Sequence, residues 1–179
     1  NQYEFTITSS SFTNPLYPTQ VVTTSVPYFR LAQMPNYTPA YATTYSVTVV
    51  VRSGVVGSYV FSAPSGTCNI FTPAVPATQV VFSQCGQTLP VITTTISGTA
   101  VPFANVYMFK VANINALGTE EEKEVSPSAL FRLNMLSTIP VNYEQTYRIW
   151  IKAGAKVGTV YTWGEYGTPC DVTTPLTPS

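Results

Sequence analysis

Two stretches decide the fold: Pro39-Ala-Tyr-Ala-Thr-Thr-Tyr-Ser-Val-Thr-Val49 and Val141-Asn-Tyr-Glu-Gln-Thr-Tyr-Arg-Ile-Trp-Ile151. Each alternates after its second tyrosine. Tyr45, Val47 and Val49 share one face; Tyr147, Ile149 and Ile151 share another, with Arg148, Trp150 and Lys152 opposite. Period two is the pattern of a half-buried strand. The stretches are also copies of each other, 102 residues apart. At that offset Phe29-Arg-Leu31 matches Phe131-Arg-Leu133, and Gly66-Thr-Cys-Asn-Ile-Phe-Thr-Pro73 matches Thr168-Pro-Cys-Asp-Val-Thr-Thr-Pro175. Asn1-Gln-Tyr-Glu-Phe5 matches Asn105-Val-Tyr-Met-Phe109 at an offset of 104, so one hairpin differs by two residues. Self-similarity at such a period marks a tandem array of modules.

Working outward, residues 77–179 read as a complete module and residues 1–76 as a partial one that lacks the counterpart of Gln79 through Ala104. Strands are expected near 79–83, 89–97, 105–112, 120–126, 129–134, 145–153 and 160–173. The last is expected to break near Gly164–Pro169. The connection Thr72-Pro-Ala-Val-Pro76 is short and proline-rich, which predicts a semi-rigid linker. The Glu-rich turn Gly118–Glu124 reads as a solvated hairpin tip. The fold class is all-β: two tandem sandwiches, the first without its initial strands.

Composition narrows the function. Of 179 residues, 45% are hydrophobic and 9% charged, with eight basic and eight acidic residues. A neutral chain is poorly suited to nucleic acid or an anionic membrane, which call for a basic surface. No apolar run reaches the ~18 residues of a spanning helix, so no membrane insertion is expected. Histidine is absent, and the acids are Asp171 and seven Glu. Histidine-based catalysis and histidine metal sites are thus excluded, and no cofactor is expected. Glu144 and Glu165 stand alone, without the paired carboxylates that a glycosidase needs. No enzyme activity is expected. The start, Asn1-Gln-Tyr-Glu-Phe-Thr-Ile7, has no signal-peptide pattern. It reads like the middle of a strand, so the chain is expected to be a piece of something longer. Three cysteines are an odd number, which asks for a partner elsewhere or marks a free thiol.

The Phe-Arg-Leu stretch, the following corner and Thr-x-Tyr-x-aliphatic-x-aliphatic resemble the E strand, E–F corner and F strand of fibronectin type III domains. In those domains the corner tyrosine bonds back to the backbone, a role the resemblance gives to Tyr45 and Tyr147. Three further motifs resemble a particular repeat: Thr78-Gln-Val-Val-Phe-Ser-Gln-Cys-Gly-Gln-Thr-Leu89, Tyr107-Met-Phe-Lys-Val111 and Trp163-Gly-Glu-Tyr-Gly-Thr-Pro-Cys-Asp-Val-Thr-Thr-Pro175. That repeat belongs to large Bacteroidota cell-surface proteins of the gliding type that leave through type IX secretion. The resemblance implies an extracellular, adhesive or fibrous segment on the bacterial cell surface. Its partners would be neighbouring modules of the same longer chain, the secretion machinery, and surface glycans or other surface proteins. Module one departs from the pattern with Phe61 for Trp163 and Pro64 for Tyr166.

Within that repeat, Cys68 and Cys170 are equivalent. A Cys85–Cys170 disulfide is expected, leaving Cys68 to pair with a residue outside the sequence; the rival is a Cys68–Cys85 bridge across the linker. Closing a loop of about 85 residues stabilises by roughly 4 kcal/mol. Either bridge implies an oxidising compartment. Tyr161, Trp163 and Tyr166 gather near the last strand, and Trp150 lies on the face opposite Ile149. These four are the candidate interface residues. They could stack on sugars in a carbohydrate-binding accessory module; the competing expectation is packing in the core or against a neighbouring module. A third reading is a fibre subunit that fills its open sandwich with a strand from another subunit.

Overall fold

A computed structural model describes every residue except Val56, Leu117, Pro178 and Ser179. The chain divides into two compact units, Asn1–Ala74 and Val75–Ser179.

The first unit is a single five-stranded sheet built from β1 (Gln2–Thr8), β2 (Thr19–Thr24), β3 (Thr44–Val55), β4 (Ser58–Phe61) and β5 (Cys68–Phe71). The order is β2-β1-β3-β4, with β5 also paired to β3. Antiparallel register sets Phe5 opposite Val22 on one side and Val49 on the other. Alternation then gathers Phe5, Ile7, Val22, Tyr45 and Val47 on one face, where Met34 joins them and Phe12, Phe29 and Leu31 pack from the loops. Tyr28 and Phe29, matching strand residues in the second unit, form no strand here. No strand lies beside them among the described residues; the 3-10 helix Leu31–Gln33 that follows is shared with the second unit, which has one at Leu133–Met135.

The second unit has two sheets. The larger contains β7 (Val106–Asn113), β8 (Glu120–Val125), β10 (Thr146–Val157), β11 (Val160–Trp163) and β12 (Cys170–Thr173). Its order is β11-β10-β7-β8, with β12 also on β10. The smaller pairs β6 (Ile96–Ser97) with β9 (Leu130–Phe131), and a Val80–Gly98 bridge extends it. Ile96 and Phe131 face Tyr107, Phe109, Val111, Ile149, Ile151 and Val172, all nearly or wholly buried. Phe109 and Phe131 stack at 4.9 Å between centroids.

The small sheet is shorter than the sequence pattern suggests. Residues 79–83 form bridges and then a 3-10 helix at Phe82–Gln84 rather than a strand. Of the expected 89–97 strand only Ile96–Ser97 pairs, because Val91–Thr94 closes a turn after Pro90. The Gln84 side chain makes bonds that a regular ladder would make: it donates to the Thr95 carbonyl (2.8 Å) and accepts from the Ser97 N–H (2.8 Å).

The repeat extends to backbone strain. Ala42 (φ 48°) and Glu144 (φ 57°), at the same offset, both occupy the left-handed region just before the corner strand. That conformation costs a side-chain-bearing residue about 1 kcal/mol, partly offset in glycine by greater freedom when unfolded. Glu144→Gly is therefore expected to stabilise the second unit by about 0.5–1 kcal/mol. Urea unfolding followed by tryptophan fluorescence checks this, since Trp150 and Trp163 both lie in that unit.

Candidate functional site

The two tyrosines of the repeated stretches sit fully buried at the same corner in each unit. Tyr45 Oη accepts the Ala40 N–H at 2.8 Å. Tyr147 Oη accepts the Asn142 N–H at 3.0 Å and donates to the Pro140 carbonyl at 3.0 Å. These bonds fix the loop that enters the longest strand.

A second group, absent from the sequence reading, completes the clamp. Thr72 and Thr174 are equivalent, each followed by proline. Thr174 Oγ1 donates to the Asn142 carbonyl (2.7 Å), lies 3.1 Å from the Gln145 carbonyl and accepts the Gln145 N–H (2.9 Å). Thr72 Oγ1 repeats this with Ala40 (2.7 Å), the Thr43 carbonyl (3.0 Å) and the Thr43 N–H (2.9 Å). The prolines then accept from the strained residues: Ala42 N–H to Pro73 at 2.8 Å, Glu144 N–H to Pro175 at 3.0 Å. The Thr-Pro repeat was the visible signal. Its meaning needed the fold, because it joins the last strand to a corner about thirty residues earlier.

Cys85 and Cys170 form a disulfide with Cα atoms 5.3 Å apart, and Cys68 is free and exposed. Around the bridge the chain runs parallel to β12. Gly86 N–H donates to Asp171, Thr173 N–H to Gln87, and Leu89 N–H to Thr173.

Trp150, Tyr161, Trp163 and Tyr166 are brought together, but on the outward face of the large sheet and not in the core. Neighbouring strands interleave them with lysines. Lys110 Nζ lies 4.3 Å from the Trp150 ring centre and 5.4 Å from that of Tyr166. Lys152 Nζ lies 4.6 Å from Tyr166 and 5.3 Å from Trp163. Trp163 stacks on Tyr161 at 5.6 Å and 13°, and Lys156 Nζ lies 4.6 Å from Tyr161. Each contact contributes about 0.5–1 kcal/mol when exposed. Carboxylates of β8 close the edge: Tyr166 donates to Glu122 (2.6 Å), Tyr161 to Glu124 (3.3 Å), and Lys110 pairs with Glu120 (3.4 Å). Burial and the Glu122 carboxylate both push the Tyr166 phenol pKa up.

The acidic stretch is thus more than a solvated tip. Glu121, pointing the other way from Glu120 and Glu122, accepts from the N–H groups of Ser137 (2.7 Å), Thr138 (2.7 Å) and Ile139 (3.1 Å) and from both hydroxyls. Slight burial raises its pKa, but the Thr138 and Ser137 bonds outweigh this and bring it to about 2. Arg148 holds Asp171 in a bidentate pair (2.8 and 2.9 Å), and its hydrogen bonds lower the Asp171 pKa. A depressed carboxyl stabilises fully above its unfolded pKa and loses that contribution as pH falls through the folded one. Stability should therefore fall as pH drops from 4.5 toward about 2. Glu121→Gln should flatten that slope and leave the Asp171 share; equal slopes in acid urea titrations would contradict the assignment.

No metal-binding group of His, Cys, Asp and Glu occurs among the described residues. No family model matches the chain, and no curated protein matches it. Among solved structures it is similar to a two fibronectin type III domain segment of chicken tenascin, at 16% identity, covering 96% of this chain and 82% of that one with a TM-score of 0.45. It is also similar to the FN1–FN3 domains of chicken CNTN1, at 16% identity, covering 97% of this chain and 54% of that one with a TM-score of 0.38. The strand order carries the assignment itself. In the second unit a small sheet of β6 and β9, extended by the Val80–Gly98 bridge, lies against a larger sheet of β7, β8, β10, β11 and β12 with a corner tyrosine, a sandwich of the immunoglobulin/fibronectin type III-like kind. The first unit is the larger sheet of that sandwich.

Proposed function

We propose that this chain is a structural, adhesive repeat segment of a large secreted bacterial cell-surface protein, serving as stalk or fibre. The observation that supports this most is the repeated clamp. Both units fix the same corner with the same tyrosine, threonine and proline, while their outward faces differ. Where Trp150 and Lys152 stand in the second unit, the first has Thr48 and Val50. A constant scaffold with changing surfaces suits a load-bearing array. The disulfide supports an oxidising, extracellular location, and the resemblance to Bacteroidota repeats supports export by type IX secretion. Its partners in this reading are neighbouring modules of one long chain.

The carbohydrate-binding reading gains no support from Tyr166. A sugar needs a free ring face, and Tyr166 carries a lysine ammonium from each of two strands. Antibodies against residues 75–179, applied to intact cells of the source organism, test the location. Labelling of unbroken cells is expected; labelling only after lysis would overturn the proposal.

A further inference from the structure

The disulfide of the second unit joins its two ends. Cys85 follows the entry stretch Val75–Gln84, and Cys170 opens the last strand, β12, whose exit toward Pro175 is held by the Thr174 clamp. The bridge spans a sequence separation of 85. Tension that enters at Val75 and leaves at Pro175 therefore has a covalent route, from the entry stretch through the two sulfurs into β12. Residues 86–169 form a closed loop that this route bypasses. The loop contains β6 to β11 and the core residues Phe109, Phe131, Ile149 and Ile151.

The chain on either side of the bridge can yield, and the entry stretch is held by contacts of a particular kind. Val75 and Thr78 are 5% and 4% exposed, and Thr78 bridges to both Ile151 and Tyr166. Trp163–Thr168 lies against them as a strap. A Cβ on Gly164 would sit 2.7 Å from the Val75 carbonyl oxygen, and one on Gly167 would overlap the Thr78 main chain, so the two glycines let strap and entry stretch touch. The first unit has Ser62 and Ser65 at those places, and their hydroxyls accept the Val51 and Val49 N–H groups at 3.0 Å each. The aromatic side chains of the strap belong to the outward ladder, where Lys152 reaches both Tyr166 and Trp163 at 4.6 and 5.3 Å. Farther along the entry stretch, Val80 bridges to Gly98, Val81 N–H donates to the Ser97 carbonyl (2.9 Å), and the Gln84 side chain bonds Thr95 and Ser97. All of these contacts tie the entry stretch to residues inside the closed loop, and all are non-covalent.

We infer that the second unit is a strain-limited link: under tension the entry stretch peels from the strap, the Cys85–Cys170 bridge then takes the load, and the core stays folded. This rests on the reading of the chain as a load-bearing repeat segment and adds how one repeat bears its load. The chain outside the bridge, about fifteen residues, extends by at most about 50 Å at ~3.3–3.6 Å per residue. Without the bridge, the 85 residues that it closes off would add about 300 Å. The bridge thus holds the unit near its folded length and keeps its apolar core from water. Release of the entry stretch is a local opening that costs less than unfolding the whole unit, so it reverses when the tension drops. The ladder acts through the strap: Lys152 positions Tyr166 and Trp163, and the strap holds Val75 and Thr78.

Single-molecule pulling of the full chain between its ends tests this, with and without dithiothreitol, which reduces the bridge by thiol–disulfide exchange. The first unit, Asn1–Ala74, whose Cys68 is free, should add about 250 Å in either condition. Non-reduced protein should show a further short step of at most about 50 Å that recurs in each cycle of pulling and relaxation. Reductant should lengthen the fully extended chain by about 300 Å, a readout that stands even where the reduced unit no longer folds. Lys152→Met should lower the force of the short step, and Lys152→Arg, which keeps the cation, should preserve it. A non-reduced chain that extends as far as the reduced one would overturn the bypass. A trace without the short step, or a force that Lys152→Met leaves unchanged, would overturn the strap. Cell labelling can fail while these lengths hold, so the two proposals are separable.

Discussion

Thr174→Val should destabilise the second unit by about 2–3 kcal/mol, although the substitution barely changes volume. Thr174 is 1% exposed, and its hydroxyl accepts from the Gln145 N–H and donates to the Asn142 carbonyl of the corner loop. Valine leaves the Gln145 N–H and the Asn142 carbonyl without that partner in a place that water scarcely reaches. A buried unsatisfied group bears its full desolvation cost. The neighbouring Thr173→Val is the control. Among the described residues Thr173 Oγ1 meets the Thr146 hydroxyl (3.1 Å) at a part-exposed position, so its loss should stay within about 0.5 kcal/mol. Urea unfolding by tryptophan fluorescence separates the two. Equal effects would mean that the threonine clamp does not hold the corner.

Gly167→Ala should destabilise by about 1–3 kcal/mol, or more if the chain cannot shift. The added methyl would sit 2.7 Å from the Thr78 carbonyl carbon and 3.3 Å from its nitrogen, and it would overlap the carbonyl oxygen. Main chain cannot rotate aside as a side chain can. The effect should extend beyond the glycine, because Thr78 bridges to Ile151 and its hydroxyl donates to the Thr99 carbonyl. The first unit supplies an internal contrast. Ser65→Gly there removes a cap from the Val49 N–H without relieving a clash, so it should weaken that unit slightly and leave the second unchanged. A neutral Gly167→Ala would show that the Thr78 segment does not need this close approach.

Much of the scaffold was legible because its signals are local or periodic. The alternation after Tyr45 and Tyr147 gave the longest strands and their inward faces, and the offset of 102 related the two corners. The small sheet was harder to read. Its pairing depends on the Gln84 side chain and stops at a turn after Pro90, and neither leaves a periodic trace. The E-like stretch at Phe29 has a strand-like sequence but no strand beside it. Strand propensity of this kind reports packing against neighbours more than an intrinsic preference.

The outward ladder was illegible for another reason. Lys110, Trp150 and Tyr166 come from β7, β10 and the bend before β12, and their order in space does not follow their order in sequence. The aromatic cluster was visible; the lysines between its rings were not. Glu121, one of five charged residues in a row from Glu120 to Glu124, looked like one more solvated charge. Only β8 pairing, which turns alternate residues to opposite faces, separates it from Glu120 and Glu122.

The central claim is that these units belong to an oxidised extracellular array built on one repeated scaffold. A peptide map of the protein isolated from its source, alkylated before any reduction, tests this most directly. The account predicts Cys85 linked to Cys170. Free thiols at all three cysteines, or a Cys68–Cys85 bridge, would contradict it.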